Sequence, residues 1–303
     1  MIVIQYMRFL KIPLVYKNRL ITILILSFVI FNFFTSSSNC SVINPSVIYV
    51  SNSGNGNFSS IQDAIDTANF GDIIFVLNGT YYENIVIDTP ISLIGENKNN
   101  TILDGRSTGN VIKINVDDVT IKNFTIQNSG SIFPNAGINS SSNYNTIKNN
   151  VLINNFYGIT LYKSSNNTIT ENTIRFNDHC GIYMSKSSTN NIKQNLISNH
   201  TYNGIGVYDS SDNNIIQNNS FSNNNFCAVN IRISSDNIIS FNVIRNNNIG
   251  VHVPNSSNNI ENNDFSGNND DIENELLTPG FSFIIFIVGI ILFFYYKKRN
   301  NEK

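Results

Sequence analysis

The feature that most constrains this chain is a short motif that recurs every 21 to 24 residues. It reads NTIKNNVLINN from Asn145, and five further copies follow. Isoleucine occupies the first apolar position of every copy: Ile147, Ile169, Ile192, Ile216, Ile239 and Ile260. Such a period is the signature of a stacked repeat, in which each unit buries its apolar face against its neighbours. A disordered Asn-rich chain would not keep this spacing.

Two more apolar columns follow from the same alignment. The second comes five residues after the first, at Leu152, Ile174, Ile197, Phe221, Ile244 and Phe265. The third comes from segments such as GITLYKSS, in which alternation points Ile159 and Leu161 inward and Thr160 outward. Three short strands per period predict an all-β, three-sided right-handed parallel β-helix, with one wrap of chain per repeat.

Polar residues also form columns. Asn150 and Asn172 begin one file of asparagine, and Asn155 and Asn177 begin another, in which His200 takes the third place. Asparagine suits a coil corner because it tolerates the left-handed backbone region and because stacked amides hydrogen-bond from coil to coil. A file of glycine is predicted to mark another bend, with positive φ: Gly158, Gly181, Gly204 and Gly250.

A less regular stretch precedes the coils and reads SSIQDAIDTANFGDIIFVLNGTYYENIVIDTPISLIGENKNNTILDG. Ser60 is placed to cap a short helix that runs to Ala68 and carries its apolar side chains on one face. Such a helix would cover the open end of the stack, where strands otherwise expose unpaired backbone groups.

This stretch, followed by coils of the NNTI type, resembles the pectate-lyase-like superfamily of right-handed parallel β-helices. Within the superfamily it resembles NosD-type domains and the carbohydrate-binding and sugar-hydrolase (CASH) β-helix domains of archaeal surface proteins. The resemblance covers residues 47–270. It implies the fold and leaves the function open, because the same coil carries lyases, hydrolases, epimerases and modules without known chemistry.

Both ends carry apolar runs. The run from Leu20 to Phe34 follows basic residues and precedes small polar ones, the order of a secretory signal, with an uncleaved anchor as the alternative. The C-terminal run ends in a basic cluster, which the positive-inside rule keeps in the cytoplasm. The predicted organisation is a signal peptide or anchor (1–40), a β-helix ectodomain (41–270), a linker (271–280), a transmembrane helix (281–296) and a cytoplasmic basic tail (297–303).

Pro279, Gly280 and Phe281, with the apolar run and basic tail behind them, resemble the PGF-type C-terminal sorting signal of archaeal surface proteins. That resemblance implies cleavage near the motif and replacement of the helix by a lipid, and a plain single-span helix is the other expectation. In both cases the ectodomain is predicted at the extracellular face of the cell membrane, single-pass or lipid-anchored.

Net charge and cysteine content limit the partners, disulfides and cofactors that are expected for this chain. The net charge is −2 and basic runs occur only at the two ends, so nucleic acid is not an expected partner. Cys180 and Cys227 share a column two coils apart, roughly 9.6 Å, which exceeds the roughly 7 Å that a disulfide spans, so both are predicted to be free thiols. No metal site and no cofactor is predicted, because histidine, cysteine and methionine do not recur at matching heights.

Asp178, His179 and Lys186 are the best catalytic candidates. A histidine between a carboxylate and a lysine could act as the base in β-elimination or epimerisation of a uronic acid. Alignment on the glycine file places His179 with Phe156, Tyr202, Phe226 and Asn248, which favours a stack of rings. No residue is therefore assigned to catalysis, and a lyase or epimerase of acidic polysaccharide remains an alternative function.

The outward face of the third strand offers candidate ligand-binding residues: Tyr162, Lys163, Tyr183, Lys186, Tyr208 and Arg232. Tyrosine rings stack on sugar rings and the cations hold acidic groups, although tyrosine also suits any half-exposed pleated surface. The leading hypothesis is a non-catalytic cell-surface module that binds carbohydrate or a cell-envelope protein. A structural spacer in the envelope is the third reading.

Overall fold

The structure is a computed structural model, and it describes residues 45–254 and 257–274. In these residues the chain forms 28 short strands and one helix. Every strand pairs in parallel with the equivalent strand one coil away, so that three sheets run along the molecule. The predicted right-handed, three-sided parallel β-helix is confirmed.

The first sheet has ten strands: β1 (Val47–Val50), β2 (Ile73–Val76), β5 (Ser92–Gly95), β8 (Thr120–Lys122), β11 (Thr146–Lys148), β14 (Thr168–Thr170), β17 (Asn191–Lys193), β20 (Ile215–Gln217), β23 (Ile238–Ser240) and β26 (Asn259–Glu261). The second has nine: β3 (Gly79–Tyr81), β6 (Thr101–Asp104), β9 (Thr125–Gln127), β12 (Val151–Ile153), β15 (Thr173–Arg175), β18 (Leu196–Ser198), β21 (Ser220–Ser222), β24 (Val243–Arg245) and β27 (Asp264–Ser266). The third also has nine: β4 (Ile85–Ile87), β7 (Ile112–Ile114), β10 (Ala136–Ser140), β13 (Tyr157–Tyr162), β16 (Ile182–Ser185), β19 (Ile205–Tyr208), β22 (Cys227–Arg232), β25 (Ile249–His252) and β28 (Asp270–Glu273).

The repeat sets the register of the sheets. Ile147 pairs with Ile121 on one side and Ile169 on the other, and none of the three side chains is exposed. In the second sheet Leu152 pairs with Ile174 in the same way. Burial of each such side chain contributes about 2 kcal/mol, so the superposed columns that the sequence predicts form the core.

Asparagine forms hydrogen-bonded ladders at the coil corners, as predicted. The Oδ1 atom of Asn195 accepts from the main-chain N–H of Asn172 at 2.9 Å and from its side-chain amide at 3.0 Å. Its own Nδ2 donates to the carbonyl of Ile169 at 2.8 Å and to Oδ1 of Asn219 at 3.0 Å. The ladder therefore satisfies corner backbone groups that no strand reaches.

The expectation that the ladder asparagines adopt the left-handed backbone conformation is wrong. That conformation occurs at the residue before each ladder asparagine. Glu171 has φ 59° and precedes Asn172, while Phe241 has φ 55° and precedes Asn242. These preceding residues are exposed and their successors are buried. The corner thus turns its first side chain to solvent and the following amide to the interior.

A third ladder was not predicted. Each member's main-chain N–H donates to the Oδ1 atom of the next at 2.8 to 2.9 Å. Its members are the first residues of the repeated motif: Asn145, Asn167, Asn190, Asn214, Asn237 and Asn258.

The positive φ predicted for the glycine file is also wrong. None of its members has a positive φ: Gly158, Gly181, Gly204 and Gly250. A Cβ atom at Gly204 would lie 2.6 Å from the carbonyl oxygen of Ala228 and 2.9 Å from Cδ1 of Phe221. Glycine is therefore required at this corner by close packing between coils.

The predicted helix covers the N-terminal end and is one residue shorter than expected. It is α1 (Ile61–Thr67), with Ser60 as N-cap and Ala68 as C-cap. The carboxylate of Glu83 accepts hydrogen bonds from the Ser60 hydroxyl and from the main-chain N–H of Ile61 and Gln62, all within 3.0 Å. These bonds join the helix to the coils below it.

Several predictions concern the ends of the chain. The last strand, β28, continues to Glu273, past position 270 where the sequence places the end of the ectodomain. The proposed signal, the sorting motif Pro279, Gly280 and Phe281, and the predicted membrane helix lie outside the described residues. In the described ranges no helix is long and apolar enough to cross a membrane.

Cys180 and Cys227 are free thiols, as predicted.

Candidate functional site

The outer face of the third sheet carries two parallel rows of side chains. One row contains Thr160, Tyr183, Gly206 and Asn230, which pair across β13, β16, β19 and β22. The neighbouring row contains Tyr162, Ser185, Tyr208 and Arg232. Because adjacent parallel strands lie about 4.8 Å apart, side chains of successive coils are within contact distance.

A file of rings follows the corner just before these strands. Ring centroids lie 5.6 Å apart for Phe156 and His179, 4.8 Å for His179 and Tyr202, and 5.0 Å for Tyr202 and Phe226. The last pair is stacked, with an interplanar angle of 11°. The predicted placement of His179 in a stack of rings is confirmed.

A second file lies beside the first on the same face. Phe133 and Tyr157 are 6.2 Å apart, Tyr157 and Tyr183 5.2 Å, and Tyr183 and Tyr208 5.3 Å. Tyr157 joins the two files, since its ring lies 4.9 Å from that of His179. We call these eight rings the aromatic platform: Phe133, Phe156, Tyr157, His179, Tyr183, Tyr202, Tyr208 and Phe226.

Two clefts open along the platform. The His179 cleft, of about 380 Å³, is lined by His179, Tyr183, Tyr202, Tyr208, Asp209, Arg232 and Ile233. The Lys113 cleft, of about 400 Å³, is lined by Lys113, Phe133, Pro134, Asn139, Ser141, Thr160, Tyr162 and Tyr183. Tyr183 lines both, so the two clefts adjoin at its ring, and we refer to them together as the groove.

The ionisable groups of the platform are held neutral. Burial lowers the pKa of His179, so that its imidazole is uncharged at neutral pH. Burial raises the pKa of the adjacent Cys180 thiol to about 12, and its Sγ lies 3.1 Å from His179 Nδ1. Two arrangements satisfy this contact: the thiol donates to Nδ1 when the imidazole proton is on Nε2, and Nδ1–H donates to Sγ when the proton is on Nδ1.

The tyrosines are likewise protonated. Burial makes the largest contribution to the raised pKa values of four tyrosines: Tyr157, Tyr183, Tyr202 and Tyr208. At neutral pH each phenol is therefore a hydrogen-bond donor and a poor proton acceptor, which suits the recognition of hydroxyl groups better than proton abstraction.

The predicted binding residues divide into two groups. Tyr162, Tyr183, Tyr208 and Arg232 line the clefts. Lys163 and Lys186 line neither, since each occupies the corner after its strand with φ near 53°. Lys163 lies beside the groove, with its Nζ 5.5 Å from the centroid of Tyr162.

The candidate catalytic set does not meet in one cleft. His179 lines a cleft, whereas Asp178 and Lys186 are not among the lining residues. The charged groups beside His179 are instead Asp209 and Arg232, which come from later coils. Asp209 accepts a hydrogen bond of 3.0 Å from the Ser185 hydroxyl.

Lys113 and Phe133 were missed. Alternation in VIKINV already points Lys113 outward, because Ile112 and Ile114 are core residues. Phe133 comes from the GSIFPNA segment, which the repeat identifies only as an insertion before the next coil. Its ring forms a wall of the Lys113 cleft.

Comparison with known proteins decides the family. The sequence profile of the family described as periplasmic copper-binding protein (NosD) matches residues 57–276. The chain belongs to the NosD family. No curated protein sequence matches it.

Solved structures of carbohydrate-acting proteins share the fold of this NosD-family chain. The A-module of a mannuronan C-5 epimerase of Azotobacter vinelandii is 13% identical, with TM-score 0.54 over 68% of this chain and 70% of that one. An alginate lyase from Paenibacillus is 17% identical, with TM-score 0.52 over 72% and 75%. The catalytic domain of an α-1,3-glucanase in complex with nigerose is 18% identical, with TM-score 0.57 over 71% and 43%. At these identities the likeness concerns the fold.

The described residues do not fit the copper centre that the family description implies. Both ring nitrogens of His200 are used within an asparagine ladder, by Asn177 N–H at 3.3 Å and the Ile174 carbonyl at 3.1 Å. His252 is fully buried with its Nδ1 2.9 Å from Asn230 Oδ1. No group of three or more histidine, cysteine, aspartate or glutamate residues converges within ranges 45–254 and 257–274.

Proposed function

We propose that this NosD-family chain binds a glycan along the groove of the third sheet, with the sugar chain running parallel to the axis of the β-helix. The observation that carries the proposal is the position of Tyr183, whose ring lines both clefts. A ligand that fills the two clefts must pass over this ring.

The shape and chemistry of the groove support an extended ligand. From Lys113 on β7 to Arg232 on β22 the groove crosses six strands, which is roughly 24 Å at about 4.8 Å per coil. Rings spaced 5.2 to 5.3 Å apart present faces and edges to sugar rings. Lysine, arginine, asparagine and phenol groups between them supply the few polar contacts that orient a ligand.

The experiment is binding of the full-length chain in detergent to an oligosaccharide array, followed by calorimetry on the tightest binder. Tyr183→Ala removes the shared wall of the two clefts, and we expect a loss of roughly tenfold or more in affinity. Tyr144→Ala is the matched control, because Tyr144 is 58% exposed and lines neither cleft. Equal affinity of both variants and the wild type would refute the groove as the binding site.

A second candidate function is a polysaccharide lyase or epimerase acting on a uronic acid. It is favoured by the neutral imidazole of His179, which stands in one cleft with Arg232. Arg232 would neutralise the uronate carboxylate while His179, in the tautomer that carries its proton on Nδ1 and donates it to Cys180 Sγ, accepted the proton from C5 at Nε2. Release of unsaturated uronides, or exchange of the C5 hydrogen with solvent, would establish catalysis, and full activity of His179→Gln would exclude His179 as the base.

We also propose that the groove is displayed outside the cell. The description of the NosD family as periplasmic supports a location beyond the cytoplasmic membrane. The apolar segment at 281–296 remains the expected tether, as a membrane helix or as a site of lipid replacement. The mass of the mature protein isolated from membranes distinguishes the two. Absence of any glycan binding or catalysis would leave the structural spacer as the explanation.

A further inference from the structure

We infer that the Lys113 cleft is the subsite for an anionic substituent of the glycan, a carboxylate or a sulfate. The inference rests on the proposed glycan function and adds a charge to the substrate class. It also gives the two clefts different roles, with the anion held at the Lys113 end of the groove.

The charges of the two clefts differ. Lys113 is the single charged side chain that lines its cleft, whereas the His179 cleft contains both Arg232 and Asp209. Within the described ranges Lys113 forms no salt bridge, since the ion pairs join Lys148 to Glu171 and Arg245 to Asp264. The lining of the Lys113 cleft therefore carries one positive charge, whereas the charges of Arg232 and Asp209 in the His179 cleft sum to zero.

The lining of the same cleft contains a polar group without a partner. Thr160 is 3% exposed, and its buried Oγ1 atom has no hydrogen-bond partner. A buried hydroxyl normally has a partner, because its desolvation is costly without one. An anionic oxygen held by Lys113 would accept the Thr160 hydroxyl hydrogen after a change of the χ1 rotamer that turns the buried Oγ1 toward the cleft.

The remaining walls strengthen such a contact. Phe133, Tyr162 and Tyr183 surround the cleft with rings, and Asn139, which pairs with Lys113 across β7 and β10, adds an amide. Ring walls displace water and lower the local dielectric constant, so a charge pair inside the cleft is stronger than at an open surface. The amide adds a neutral donor for the second oxygen of a carboxylate or sulfate.

The test uses two matched pairs of variants of the full-length chain. Thr160→Val and Thr170→Val each remove a buried hydroxyl that has no partner, but Thr170 is on the first sheet. Lys113→Met and Lys122→Met each remove one positive charge, and Lys122 is on the first sheet in β8. The probes are hexamers of mannuronate and galacturonate, their carboxyl-reduced neutral counterparts, and sulfated neutral hexamers.

We expect the wild type to bind an acidic hexamer roughly tenfold more tightly than its neutral counterpart. This ratio should fall toward one in Lys113→Met and Thr160→Val and persist in Lys122→Met and Thr170→Val. Thr160→Val should keep or raise the melting temperature, which separates a lost ligand contact from a damaged fold. Preference for the uronates over the sulfated hexamers, or the reverse, identifies the anion.

Two results would overturn the inference. Equal affinity of the wild type for acidic and neutral hexamers, or an acidic preference that survives both Lys113→Met and Thr160→Val, rejects the anion subsite and leaves glycan binding in place. Failure of the wild type to bind every hexamer and every array glycan rejects the proposed function and this inference together.

Discussion

The ring of Tyr208 lies over Gly206 on the outer face of the third sheet. A Cβ atom at residue 206 would be 2.8 Å from the hydroxyl oxygen of Tyr208 and 2.9 Å from its Cζ. The hydroxyl accepts a 2.9 Å hydrogen bond from Nδ2 of Asn203, which holds the ring in this position. In that position the ring lies 5.3 Å from Tyr183 and forms part of the His179 cleft.

Gly206→Ala should therefore weaken glycan binding. The added methyl group displaces the Tyr208 ring from the sheet into the cleft, and we expect roughly a tenfold loss of affinity in calorimetry. The companion variant Tyr208→Phe keeps the ring and removes the acceptor of Asn203, so it should lower stability by about 1 kcal/mol with a smaller effect on binding. Tighter binding by Gly206→Ala than by Tyr208→Phe would contradict this account of the cleft.

His200 should make the fold sensitive to mild acid. Its pKa is lowered to about 4, first by burial, so the folded chain leaves the imidazole neutral where an unfolded chain would protonate it. The free energy of unfolding should decrease as the pH falls from about 6.5, the pKa of histidine in an unfolded chain, to about 4. Below pH about 4 this contribution should level off. The total loss from His200 should be about 3 kcal/mol.

The measurement is urea unfolding at pH about 7 and about 4.5, for the wild type and for His200→Asn. Asparagine is the residue found elsewhere in the same ladder, as at Asn177 and Asn224, and it does not titrate. The variant should lose less stability between the two pH values than the wild type. An identical loss in both proteins would show that His200 does not carry the acid response.

Asn195→Ala tests the ladders. It removes the two hydrogen bonds that Asn195 Oδ1 accepts from Asn172 and the bond that Asn195 donates to Ile169. The main-chain N–H of Asn172 is left without a partner, whereas its side-chain amide keeps the bond to the Ile147 carbonyl. We expect a loss of about 3 kcal/mol or more in the free energy of unfolding. Gln194→Ala is the control, because residue 194 is the exposed, left-handed position beside the ladder. A loss of similar size in both variants would mean that the corner backbone, and not the amide, determines stability.

Glu83→Gln tests the attachment of α1. One amide oxygen cannot replace both carboxylate oxygens that bind Ser60, Ile61 and Gln62, and the favourable charge at the helix N-terminus is lost. Thermal unfolding should show a destabilisation of about 1 to 2 kcal/mol, against no change in Glu261→Gln, an exposed position at the other end. No difference between the two would exclude Glu83 as the anchor of the cap.

The core could be predicted from the sequence because it depends only on period. Ile147 and Ile169 recur at one spacing, and a chain that returns to the same direction after each wrap must superpose them. The corners were harder, since the pattern does not show which of Glu171 and Asn172 takes the left-handed backbone. Only the burial of the amide distinguishes them.

The site was predictable in part. Outward alternation identified Tyr183 and Tyr208, but not that the Tyr208 ring lies back over Gly206, which depends on a side-chain rotamer. Lys113 and Phe133 share a cleft because the insertion before β10 brings Phe133 onto the face. A repeat identifies where an insertion occurs and carries no information on its conformation.

The side-chain amides of one asparagine ladder all point in the same direction along the axis of the solenoid. In the file from Asn150 to Asn263 the amide nitrogen of each asparagine donates to the amide oxygen of the next, as Asn172 does to Asn195 and Asn195 to Asn219. Aligned amide dipoles add and polarise one another. Along this file the amide nitrogens therefore face the last coils, and the amide oxygens face the first.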